Sequence, residues 1–314
     1  MPFTLGVNTN AFVNRIVEPE ELVRTVVEKI GLRRIQLTPE ILSPDWPASV
    51  IAAQVRRWNA ACEKHGARIT TTFTGNYTRL NSLCHPDPDV RAHWRAWLGR
   101  LIDITADLGG AATGSQIGIL TYADDRDPAR RAARFAEARD HWHALAGHAK
   151  ERGLACLMWE PMSISREFGQ TIEACRRDHA ALNEGSPLPI LINADIDHGD
   201  VTSSDPADTD PYAWAEALAT LSPVVHIKQS SMDKGGHRPF TAAYNAKGRV
   251  VPERLIQALE KGGGRDNELV FEFTFRERGW SVVRWLTADD NYRARALYDR
   301  LAVKTAWNLY ELTP

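Results

Sequence analysis

Asp195, Asp197, His198 and Asp200 fall within six residues, directly behind the apolar pair Leu191 and Ile192. Three carboxylates and an imidazole cannot share a dry core without partners, so the strand that carries them must lead to an open end where a cation or water receives them. Three other short apolar runs finish in the same way. "LACLMWE" (154–160) ends in Glu160, and "VVHIK" (224–228) carries His226 and Lys228 two residues apart, on one face of a strand. "ELVFEFT" (268–274) sets Glu272 between Phe271 and Phe273. A carboxylate buried there without a partner costs several kcal/mol, so it has to be paired, protonated or bound to a metal. Taken singly, a strand-end glutamate is also an ordinary solvated residue, and His226 between Val225 and Ile227 also suits a core. The joint occurrence on successive runs is what points to a site. Glu160, Asp195, His226 and Glu272 form a mixed oxygen and nitrogen set without thiolate. Such a set suits Mn²⁺, Mg²⁺ or Co²⁺, with Zn²⁺ also open.

The elements that must position these groups follow from periodicity. Strand-like runs occupy 3–8, 34–38, 67–73, 111–118, 154–160, 189–195, 224–228 and 268–274. Amphipathic stretches lie between them. In 18–31, Leu22, Val26 and Ile30 make an i, i+4, i+8 stripe that stops at Gly31; 87–110 and 127–153 each open on Asp-Pro and close on Gly. Eight strands alternating with helices predict an α/β fold of the (β/α)8 TIM barrel type, over residues 1–275 and without an interdomain linker. In such a barrel chemistry gathers at the C-terminal ends of the strands, which is where all four candidate ligands fall.

Bulk properties narrow the function classes. The 314 residues carry a formal charge of −2, so there is no broad basic field and nucleic acid is not an expected partner. Cys62, Cys84, Cys156 and Cys175 form no CxxC pair, which fits free thiols in a reducing cytoplasm. The first residues lack the pattern of a signal peptide, and no run reaches 18 consecutive apolar residues, so neither secretion nor a membrane partner is expected.

On "MWEP" with Glu160, "NADIDHGD" with Asp195 and His198, "HIK" with His226 and "FEF" with Glu272, residues 1–275 resemble the xylose isomerase-like TIM barrels of sugar and sugar-phosphate isomerases and epimerases. "HPDPDVRAHWRAWLGRLIDITADLGG" is similar to the third helix of that family. Within it, whole segments such as "HIKQSSMDKGGHRPFTAAYNAKGRVVPERL" look most like tetrulose-phosphate 3-epimerases of bacterial erythritol catabolism. The resemblance implies a small phosphorylated ketose as substrate. It implies one divalent metal ion held by Glu160, Asp195, His226 and Glu272, with Glu160 and Glu272 also moving the proton on opposite faces of an enediolate. It implies substrate contacts from His198, Lys228, Arg238 and Gln116. The Gly-rich loop 228–240 suits a phosphate, with Arg238 its expected contact, while Lys228 serves either the phosphate or a ligating carboxylate.

There are departures. Many members carry a Glu at the end of strand two and a His at the end of strand four; this chain has Gln36, a delayed Glu40 and Gln116. The further His and Asp ligands of a three-zinc endonuclease in the same superfamily are absent, which argues against DNA repair. An aldose–ketose or hydroxypyruvate isomerase would use the same site, and a non-catalytic sugar-phosphate binder would keep it without turnover. Residues 276–314 form an atypical tail. The segment 279–312 reads strand–helix–strand in place of the last barrel helix and resembles the closing part of GCN5-type N-acetyltransferases, although the acetyl-CoA phosphate loop of that family is missing. Its helix, 289–302, would cap the barrel with Ala294, Leu297 and Leu301 inward. A tail that cannot do so leaves apolar surface bare and favours a homodimer.

Overall fold

Alternate residues of each long apolar run meet two environments. In 189–195, Ile190, Ile192 and Ala194 join a large cluster under the helices, whereas Leu191, Asn193 and Asp195 face the opposite way. That period of two, repeated around the molecule, is the pattern of a closed parallel barrel.

The computed structural model describes residues 3–75, 78–231 and 235–273, together with the backbone of 283–286, 303–304 and 309–312. The barrel strands are β1 (Thr4–Asn8), β2 (Arg34–Leu37), β3 (Arg68–Phe73), β4 (Ala112–Ser115), β5 (Cys156–Trp159), β6 (Ile190–Asp195) and β7 (Val224–Ile227). A hairpin of β8 (Gln229–Ser231) and β9 (Gly235–Arg238) follows, and β10 (Glu268–Phe271) completes the ring. The order β1-β10-β7-β6-β5-β4-β3-β2 closes on itself. Every neighbouring pair in the ring is parallel. This is the predicted eight-stranded α/β barrel.

Most strands are a residue or more shorter than their apolar runs, and the trimmed residues matter. β4 stops at Ser115 rather than 118, because the chain turns where Gly118 takes φ +142°. Glu160 and Glu272 each stand one residue past a strand end, and their backbone N–H groups still bond to Ser115 O (3.3 Å) and Ile227 O (3.1 Å). The ladder therefore fixes their Cα positions while freeing their side chains.

The helices 87–110 and 127–153 are realised as Pro88–Asp107 and Pro128–Glu151. Each has proline in its first turn and an aspartate, Asp87 or Asp127, whose side chain accepts from the backbone N–H two residues on. The stretch 18–31 departs from expectation. Pro19–Arg24 is α-helical, but Thr25–Ile30 is a π-helix. Leu22 and Val26 are fully buried, whereas Ile30 is 43% exposed. Bonding five residues apart widens the turn, so Ile30 rotates off the face that a uniform 3.6-residue period assigns it.

Apolar packing forms two shells outside the ring. One, under β1–β3, includes Leu22, Ile35, Trp58 and Ile69; the other, around the remaining strands, includes Trp142, Trp159, Ile192, Trp214 and Leu269. A smaller cluster of Phe73, Ala112, Cys156, Met158, Val224 and Val270 plugs the barrel interior. Inward-facing polar side chains therefore gather above and below this plug, toward the two ends of the ring.

The chain divides into two compact units, Met1–Thr274 and Phe275–Pro314. In the second, β11 (Val283–Leu286), β12 (Val303–Lys304) and β13 (Leu309–Leu312) make an antiparallel sheet ordered β11-β13-β12. The helix expected at 289–302, with Ala294, Leu297 and Leu301, lies outside the described residues.

Candidate active site and metal centre

Adjacent strand ends bring the candidate groups together because β5, β6, β7 and β10 are consecutive around the ring. Nδ1 of His226 lies 3.2 Å from Oε1 of Glu160 and 3.7 Å from Oε1 of Glu272. His198 Nε2 lies 3.2 Å from Oδ2 of Asp195, and its Nδ1 is 3.1 Å from the carbonyl oxygen of Pro161. Lys228, 1% exposed, donates to Asp195 and also to Glu272 at 3.2 Å. It is thus paired with the carboxylates, deep in the barrel mouth. Asp197 turns the other way: its N–H bonds to Oδ1 of Asp195 at 2.8 Å, and its carboxylate accepts from Arg249, Ser230 and the Gly236 N–H.

The electrostatics follow from burial and unequal charge. Burial pushes the Asp195 carboxyl up, but His198 and Lys228 outweigh it and hold it below its ordinary value. The same contest takes Glu272 well below the carboxylate range, with Lys228, His226 and His237 opposing desolvation. Burial lowers His226, yet Glu272 and Glu160 more than reverse it, and its affinity for a proton is raised. Lys228 is likewise held charged against desolvation by Asp195 and Glu272.

These groups fit a divalent cation. Glu160, Asp195 and His198 offer one set of ligand atoms within 4.8 Å of one another, and Asp195, His226 and Glu272 offer a second. Both sets share Asp195. Among the described residues of this cluster the single ammonium, Lys228, pairs with Asp195 and Glu272 and not with Glu160, and an excess of buried negative charge is what a metal ion neutralises.

Two expected contacts make no hydrogen bond to the cluster among the described residues. Gln116 is buried just past β4, and among the described residues it makes no hydrogen bond to the others. Arg238 is exposed on β9, its guanidinium 5.1 Å from the centre of the Tyr244 ring. The segment 228–240, expected as a loop, is largely the β8–β9 hairpin, because Gln229 pairs with Arg238 and Ser231 with Gly235. The turn of strand direction sends His237 inward instead. Its Nδ1 is 3.2 Å from Oε2 of Glu272.

Sequence reasoning missed a layer beneath the ligands. Gln36, Asn193 and Asn8 are fully buried and interlinked around His226. The available signal was the period of two: Asn193 precedes Asp195 by two on β6, so it shares the inward face.

A family model described as xylose isomerase-like TIM barrel matches residues 25–288. The chain is 50% identical over 279 residues to D-erythrulose 1-phosphate 3-epimerase of Brucella abortus (strain 2308), covering 88% of this chain and 90% of that protein. Among solved structures, a Rhodospirillum rubrum protein provisionally described as a xylose isomerase superposes with a TM-score of 0.78 at 28% identity, over 93% of this chain and 95% of its own. D-psicose 3-epimerase of Clostridium cellulolyticum H10, solved with D-tagatose, gives a TM-score of 0.64 over 88% of this chain and 87% of its own. At 14% identity, that likeness speaks for the fold.

Proposed function

The chain belongs to the xylose isomerase-like TIM barrel family, and from that premise we propose that it is a divalent-metal-dependent 3-epimerase of a small ketose phosphate, a tetrulose phosphate foremost. One observation carries the chemistry. Glu160 and Glu272 stand on strands three apart in the ring, yet both reach Nδ1 of His226, at 3.2 and 3.7 Å. Two carboxylates that approach one point from different sides are what inversion of a carbon requires.

Glu160, Asp195, His226 and Glu272 would hold the ion, with Mn²⁺, Mg²⁺ or Co²⁺ favoured by the oxygen-rich set. When bound, the ion supplies Lewis-acid stabilisation of the charge that develops on the substrate oxygen as the proton leaves. The protein's own groups do the rest. One glutamate takes the proton from the carbon beside the carbonyl, and the other returns a proton to the same carbon from the opposite face. His198, whose Nδ1 donates to the Pro161 carbonyl, is the proposed hydrogen-bond partner of the carbonyl or hydroxyl of the sugar. Lys228 keeps Asp195 and Glu272 ionised and in place. Arg238, exposed on the β8–β9 hairpin, is the proposed phosphate contact, and Gln116, just past β4, is a further proposed substrate contact. The four free and buried cysteines support residence in a reducing cytoplasm.

Turnover in D₂O, followed by NMR, tests this reading. Deuterium at the carbon that also inverts is the expected result. Deuterium delivered to the neighbouring carbon makes the protein an aldose–ketose isomerase. Tight binding without exchange reduces it to a sugar-phosphate binder.

A further inference from the structure

His226 has two ring nitrogens, and a metal can use only one that carries no proton. Nδ1 faces Glu160 and Glu272, so a ligand role needs the proton of the neutral ring on Nε2. The ligand cluster by itself favours the other tautomer, because the Glu160 and Glu272 carboxylates beside Nδ1 can only accept. Asn193 does not reverse that preference: its Nδ2 is equidistant from both ring nitrogens, at 3.2 Å.

The choice is made from below, by a chain of hydrogen bonds that starts at the backbone. The N–H of Asn10 can only donate, and it points at Oδ1 of Asn8, 2.7 Å away. The Asn8 amide is therefore oriented with Nδ2 outward, and that nitrogen lies 2.7 Å from Oε1 of Gln36. Gln36 is oriented in turn, its Nε2 reaching Thr71 Oγ1 at 3.2 Å and Asn193 Oδ1 at 3.4 Å. Its Oε1 then faces Nε2 of His226 at 2.6 Å and can only accept. Asn8, Gln36, Asn193 and His226 are all at most 1% exposed, so no water substitutes for a link.

We propose that Asn8 and Gln36 form a one-way hydrogen-bond relay that sets the tautomer of His226, holding the proton on Nε2 and leaving the Nδ1 lone pair to the metal. This rests on the metal-dependent reading above and adds two positioning residues to it. Gln36, the departure at the end of β2, thereby gains a role, its Oε1 accepting from the imidazole.

The relay has a direction, so it can be reversed without touching the ring. In Asn8→Asp the side chain keeps its shape and still accepts from Asn10, but it can no longer donate to Gln36. The Gln36 amide must then flip, offer N–H to His226 and drive the proton to Nδ1. Gln36→Met removes the acceptor at similar volume. Gln36→Glu retains one.

Two measurements decide the matter: Mn²⁺ affinity from the EPR signal of free ion, and ¹⁵N–¹H correlation spectra of the Zn²⁺-loaded protein. Wild type and Gln36→Glu should bind Mn²⁺ comparably and show the His226 proton on Nε2. Asn8→Asp and Gln36→Met should bind about 10- to 100-fold more weakly, the range for loss of a group that orients a metal ligand. Asn8→Asp should also lose the Nε2–H signal, which a loss of packing alone would not move. If wild type binds Mn²⁺ and both variants bind it equally well, or if the wild-type proton sits on Nδ1, the relay is wrong while the metal centre stands. If wild type binds neither ion, the metal-dependent reading falls and takes the relay with it.

Discussion

Glu268 opens β10 and Glu272 stands one residue past its end, and the two ends of the barrel treat them differently. At the N-terminal end, each oxygen of Glu268 has a matched partner: Arg34 at 2.6 Å on Oε2 and Thr70 at 2.9 Å on Oε1. There is no room for more, since a Cβ on Gly6 would come within 2.5 Å of Oε1. At the C-terminal end, Glu272 shares Lys228 with Asp195 and lies beside His226, which Glu160 also approaches. One end is closed and balanced in charge. The other is left with surplus carboxylate. The contrast teaches that burial of an acid does not by itself mark a site; an unbalanced set does.

Substitutions should separate the two ends. The largest effect is expected at the open end, where Glu272→Gln or Glu160→Gln should cut turnover by more than about a thousandfold, as for loss of an acid/base group that also holds a metal. The melting temperature of the metal-free protein should hardly change. A variant with near-normal rate would remove that glutamate from the mechanism.

At the closed end the expectation reverses. Glu268→Gln leaves Arg34 without its charge partner, and because Arg34 is partly exposed the cost should be about 2 kcal/mol rather than that of a fully buried pair. Urea titration reads the loss, and kcat/KM of the folded enzyme should stay near wild type. Loss of activity without loss of stability would contradict the division.

Metal addition tests the same polarity from the side of the ligand, with an effect of similar size. At about one hundred times its dissociation constant, Mn²⁺ should stabilise wild type and Glu268→Gln by about 2.7 kcal/mol. It should do far less for Glu272→Gln in the same thermal scan. Equal stabilisation of all three would place the ion elsewhere.

The smallest signal comes from the plug between the two ends. Cys156 sits in the barrel interior, and burial pushes its thiol up to about 12. Desolvation likewise takes Cys84 to about 12 and Cys62 to about 11. No thiol should be alkylated by iodoacetamide at pH 8 until the barrel unfolds. Early labelling of Cys156, located by peptide mass spectrometry, would show that the interior opens locally.

The ring was legible because its information is local. Period-two runs of Val, Ile and Leu, separated by capped helical stretches, specify strand, helix and alternation without knowledge of neighbours. Boundaries were less so, as at Ile30, where a π-helical turn breaks a phase that looked regular. The acids at strand ends could be read as a set because the barrel topology converts chain order into angular order. Arg238 and His237 could not be ranked from sequence. Which of two adjacent hairpin residues faces inward depends on the pairing of β8 with β9.

By itself the sequence determined which residues alternate, where helices start, and hence that Glu160, Asp195, His226 and Glu272 would reach one rim. Tertiary structure alone decided what lies beneath them. The orientations of Asn8, Gln36 and Asn193, and the sharing of Lys228 between Asp195 and Glu272, depend on side chains up to 190 residues apart meeting across the ring. Backbone periodicity carries no record of such meetings, because a hydrogen bond is fixed by distance and direction in space and not by spacing along the chain.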